Sequence, residues 1–135
     1  MKFRMVDRIV AVQEHYIETV KAVSFEEFNL LEPWGRRGPL PESLILQVAV
    51  ESAALLVAHR SGWMHTGVLD EMEGVRFERE SRPGDVLRCR VSADATGFAF
   101  AIAADTPVCS GVVRLREMSL KDCYDRDAFV LAWRR

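Results

Sequence analysis

Residues 40–62, LPESLILQVAVESAALLVAHRSG, form an almost uninterrupted apolar stretch that carries one amide and one acid a helical turn apart. A helix that is apolar on every side belongs in the interior of a fold. Over 41–60, Pro41 suits the first turn and Glu42 the positive end of the dipole, His59 and Arg60 favour the other end, and Gly62 can close it. Gln47 and Glu51 stand at i and i+4 and share a face, so in a buried helix they must be hydrogen-bonded or take part in chemistry. By length the stretch could cross a bilayer. Glu42, Gln47, Glu51 and Ser52 interrupt it and no anchors flank it, so no membrane association is expected.

Strand-forming segments lie on both sides of this helix. Residues 5–13 and 16–24 are rich in β-formers and meet at a polar turn around Glu14 and His15, which predicts a first hairpin. Residues 25–37 place Glu26, Glu27 and Glu32 among Phe28, Leu30, Leu31 and Trp34, which predicts a compact loop packed on the core. After a loop containing Trp63, His65 and Gly67, residues 73–80 alternate Val75 and Phe77 with charges, and 86–92 alternate Leu87, Cys89 and Val91 with Arg88 and Arg90. Residues 97–104 and 108–116 follow around Asp105, Thr106 and Pro107, completing an antiparallel meander. Ser119 with Asp122 resembles a capping box, so 120–133 is expected to be a short terminal helix that covers a sheet face. The plan is α+β, one long helix against an antiparallel sheet.

A chain of 135 residues is one domain, large enough to bury about two-thirds of its unfolded surface. A net charge of −2 gives no general attraction for nucleic acid or anionic membrane. The opening MKFRMVDR has no secretory apolar core, so a cytoplasmic location is expected. Three widely spaced cysteines fit free thiols in a reducing compartment, with Cys89 and Cys109 at apolar strand positions. None stands at zinc-ligand spacing, so no structural metal is expected.

Several motifs in order carry a family resemblance. Phe3, Val6, Asp7 and Arg8 look like an opening strand, Lys21 and Val23 fit a Lys-x-Val pattern, and Pro41 with Leu44, Ile45 and Leu46 matches a Pro-Gly-Val-Leu-Ile-Leu helix start. Pro83, Gly84 and Asp85 match a Pro-Gly-Asp turn. The chain thereby resembles the FabZ/FabA-type 3-hydroxyacyl-[acyl carrier protein] dehydratases of the hotdog fold, in which an antiparallel sheet wraps around one long central helix. The resemblance implies a hotdog domain over residues 1–118, with 119–135 a helix or tail packed on it. It also implies no cofactor, an acyl thioester of acyl carrier protein or coenzyme A as ligand, and a homodimer, a higher oligomer or a heterodimer with an active dehydratase.

The resemblance also implies where the chemistry should sit, and there the residues depart from it. In those dehydratases a loop His removes the C2 proton of a 3-hydroxyacyl thioester and a helix Glu or Asp assists departure of the hydroxyl. Counting back from Pro41 puts the His position at Pro33 and the neighbouring Phe at Trp34, while the helix acid falls at Gln47. Neither Pro33 nor Gln47 titrates near neutral pH, so neither can act as general acid or base. The only histidines are His15, His59 and His65.

Where the family helix commonly reads Glu-x-x-x-Gln, this one reads Gln47-x-x-x-Glu51, which leaves a carboxylate displaced by ~6 Å along the same face. Burial among Leu and Val would raise its pKa and suit it to proton transfer or water activation, as in hotdog thioesterases. Glu51 is therefore either a residual catalytic group or a satisfied structural acid. Glu32 is a weaker substitute base, and His65 reads as a loop residue. Trp34 either lines an acyl tunnel or anchors its loop. Gly35, Arg36 and Arg37 are substrate-binding candidates, the arginines through the phosphate of a phosphopantetheine arm or an acidic carrier-protein surface.

Overall fold

A computed structural model describes residues 5–24 and 39–133. The first strand, β1 (Arg8–Gln13), and the second, β2 (Tyr16–Ala22), form the expected hairpin, and α1 (Glu42–Arg60) is the long helix. Four strands follow, β3 (His65–Phe77), β4 (Val86–Ala93), β5 (Phe98–Ala103) and β6 (Pro107–Ser119), and then two short helices, α2 (Leu120–Cys123) and α3 (Arg126–Trp133). All neighbouring strands pair antiparallel in the order β1-β2-β4-β5-β6-β3. Among the described residues, β1 and β3 are therefore the free edges of one six-stranded sheet.

The alternation in β4 does what period two requires: Leu87, Cys89 and Val91 are buried and Arg88, Arg90 and Ser92 exposed. Phe98, Phe100 and Ile102 of β5 bury the same face. Against that face α1 sets Ile45, Val48, Leu55 and Leu56, each worth about 1.5–3 kcal/mol of burial. The stretch long and apolar enough to cross a membrane is thus the core helix, half of it buried inside the sheet.

Local chemistry fixes the ends of these elements. Past Arg60 the N–H of Gly62 bonds the His59 carbonyl at 3.2 Å and that of Trp63 the Ala58 carbonyl at 2.7 Å, a Schellman pair with Gly62 at φ 66°. The Pro83-Gly84-Asp85 turn is closed by Asp85 N–H on the Arg82 carbonyl, with Gly84 at φ 98° as the turn demands. It is then tied to the end of β2, because Gly84 N–H bonds the Val23 carbonyl at 2.8 Å and Val23 N–H the Asp85 carbonyl at 2.9 Å.

Two expectations need correction. Residues 65–72 form strand, not loop: β3 starts at His65 and pairs with β6 from Ser119 to Cys109. Register shifts between Leu69 and Glu71 and between Glu73 and Arg76 reset the side-chain phase, which erases the alternation a strand normally displays. The terminal helix is broken at Tyr124, whose φ of −143° is extended, and Ser119 makes no capping hydrogen bond. Asp125 serves α3 instead, its carboxylate receiving the Ala128 N–H at 3.3 Å.

Candidate functional site

Gln47 and Glu51 meet where the sequence puts them, on one stripe of α1 that continues through Val50, Ala54 and Leu55. This stripe forms one wall of a cavity of about 420 Å³, in the range of small-molecule sites. The edge strand supplies the second wall at Thr66 to Leu69. Gly67 is needed there because a Cβ would stand 2.4 Å from Leu115 Cδ1 on β6. The third wall is the C-terminal segment, through Tyr124, Phe129, Ala132 and Trp133. The terminal segment thus lines a cavity between α1 and the sheet edge.

Glu51 is half-buried and engaged. One carboxylate oxygen accepts the Met5 N–H at 2.8 Å and the other the Val6 N–H at 3.1 Å. Met5 and Val6 are buried ahead of β1, so their N–H groups need acceptors that the sheet does not supply. An ionised carboxylate, an acceptor on both oxygens, fills that need. The environment is therefore not the purely aliphatic one expected from the flanking Leu and Val residues.

Tyr124 is a site residue that the sequence did not disclose. Burial pushes its phenol above the ordinary tyrosine range, and the charge of Glu51 adds to the shift. At neutral pH it is a neutral hydroxyl facing the same cavity as the carboxylate. Nothing in its tail position signals this, since only the turn at Tyr124 and Asp125 brings it back to α1.

Below the site the core holds a buried polar set. The hydroxyls of Thr19 and Ser52 lie 2.8 Å apart, and Ser52 donates to the Val48 carbonyl at 2.7 Å. The Cys89 thiol joins both and is pushed up to about 12, chiefly by burial. It is a structural thiol.

Pro33, Trp34, Gly35, Arg36 and Arg37 lie outside the described residues, as does Glu32. Among the described residues no imidazole lines the cavity. His15, His59 and His65 are exposed, the first in the β1–β2 turn and the others at the far end of α1 and the start of β3.

No family model matches the chain. Over 87 residues, 63% of this chain and 61% of the relative, it is 30% identical to the 3-hydroxyacyl-[acyl-carrier-protein] dehydratase FabZ of Thermus thermophilus. The match therefore spans about three-fifths of that relative's length. Among solved structures, a chain of the dehydratase heterocomplex ApeI:P from Xenorhabdus doucetiae superposes with a TM-score of 0.65 at 15% identity, covering 84% of this chain and 98% of that one. A hypothetical thioesterase with coenzyme A from Streptococcus pneumoniae gives a TM-score of 0.61 at 12% identity, covering 83% and 85%. The fold is the hotdog fold, and the sequence likeness is to FabZ.

Proposed function

We propose that this FabZ-like hotdog protein binds acyl thioesters of acyl carrier protein or coenzyme A, in a fatty-acid-like or polyketide-like pathway, and does not by itself dehydrate 3-hydroxyacyl chains. The observation that carries this reading is the make-up of the cavity beside α1. The helix position resembling the family's acid is an amide, Gln47, and no imidazole stands among the described lining residues. An apolar cavity with a few polar groups at one helix face suits an acyl chain and its thioester. The FabZ relative is named for acyl carrier protein substrates and one structural neighbour holds coenzyme A, which supports the ligand class.

Glu51 supports the non-catalytic form of the proposal, because its two oxygens already hold the backbone ahead of β1. The free edge of β3, thirteen residues long, supports assembly with a second hotdog subunit, either another copy or an active dehydratase in a cytoplasmic complex. Solution mass by light scattering should be a multiple of the monomer, and a stable monomer at micromolar concentration would count against assembly.

A second reading is thioester hydrolysis driven by Glu51, favoured by the position of its side chain on the cavity wall. The two readings separate on one assay. Release of free thiol from an acyl-coenzyme A thioester, abolished in Glu51→Asp protein that remains folded, supports hydrolysis. Binding of the same thioester without thiol release supports the binding subunit.

A further inference from the structure

We infer that α3 is the acyl-selecting wall of the cavity and that Ala132 sets the length of acyl chain it admits. The inference rests on the reading of the cavity as a thioester site. The other two walls belong to a long helix and a paired strand, whereas α3 meets the cavity through one short face. Phe129, Ala132 and Trp133 stand at i, i+3 and i+4, so they share that face. Leu131 lies off the cavity and is 74% exposed, whereas Ala132 lines the cavity at its solvent-exposed mouth.

The near end of α3 is held in place. Arg126 Nε donates to the Trp63 carbonyl at 2.7 Å, and the Phe129 ring packs 6.1 Å from Trp63 and 4.8 Å from Tyr124, centroid to centroid. Trp63 is itself fixed by the turn that ends α1. Phe129 therefore has a defined position, and Ala132 follows less than one turn later between two large rings. Its methyl group is the small element of an otherwise aromatic face. A larger side chain at Ala132 would narrow the cavity at its mouth and so limit the chain that can extend through it, while leaving the polar groups on α1 and Tyr124 untouched.

The test uses coenzyme A thioethers bearing butyl, octyl and dodecyl chains, which carry the phosphopantetheine arm and cannot be hydrolysed. Binding is read by calorimetry for wild type, Ala132→Phe, Ala132→Leu and the outward control Leu131→Phe, each first shown to melt like wild type. Both Ala132 variants should lose about tenfold or more in affinity for the dodecyl thioether, a typical consequence of overpacking, and keep wild-type affinity for the butyl one. Leu131→Phe should change neither. Equal effects of the Ala132 variants on all three ligands, or no effect on any, would overturn the role of α3 while leaving the thioester site standing. Wild-type protein that binds none of the three would overturn both.

Discussion

The Glu51 carboxylate on α1 receives the backbone N–H of Met5 at 2.8 Å, across 46 residues of chain, and that of Val6 beside it. The acid that sequence alone offers as a catalyst is thus also the clamp between the central helix and the segment leading into β1. Removing it leaves two backbone donors without this acceptor, at a cost of about 1–3 kcal/mol each if buried. Glu51→Ala should lower the melting temperature clearly. Glu51→Gln should also destabilise, because its amide presents N–H groups to one of the two donors. A Glu51→Gln melting curve that overlays wild type would show that the clamp contributes nothing.

The buried hydroxyls of Thr19 and Ser52 form a second unit. Ser52→Ala deprives Thr19 of its closest partner and should cost about 1–3 kcal/mol, whereas Thr19→Val with Ser52→Ala should recover part of that loss. Urea denaturation of the single and double variants measures the coupling. Strictly additive losses would mean that the two hydroxyls act independently.

The three cysteines should separate by reactivity. Burial pushes Cys89 up to about 12 and Cys109 up to about 11, and thiolate is the reacting form. Cys123 is only half-buried, beside Tyr124. Native protein should label quickly at Cys123 and slowly at the other two, and denatured protein should titrate three thiols. Rapid labelling of Cys89 in folded protein would contradict its place in the core.

Stability should respond to acid through Glu18. Its carboxyl is held below the ordinary range, first by the hydrogen bond from Arg90 on β4, with help from Tyr16 and Arg88. The folded value lies below the unfolded one, so this contribution is complete above about pH 4.3 and is lost as pH falls through the folded value. Acid titration of wild type against Glu18→Gln should show a stability difference that narrows over that fall. A difference independent of pH would assign the effect to packing.

What was legible in the chain follows from what local chemistry determines. β4 could be read because one of its faces is wholly buried, and α1 because its apolar run starts at a proline and ends at a glycine turn. The first half of β3 could not, since it is an exposed edge strand with two register shifts and a Leu-Asp-Glu-Met-Glu run that shows no alternation. Gln47 and Glu51 were placed on one face by helical spacing alone. Tyr124 and the α3 wall were hidden, because a break of the terminal helix, invisible to periodicity, folds them onto α1.

The central claim is binding without dehydration, and one experiment reads both. Purified protein, with no second subunit present, is titrated with a 3-hydroxyacyl-coenzyme A thioester while calorimetry follows binding and ultraviolet absorbance follows enoyl thioester formation. Loss of a positioned acid and base each typically costs roughly 10²–10⁴-fold, so the account predicts saturable binding with dehydration undetectable or very slow. Brisk formation of the enoyl thioester by this chain alone, or no binding at all, would contradict it.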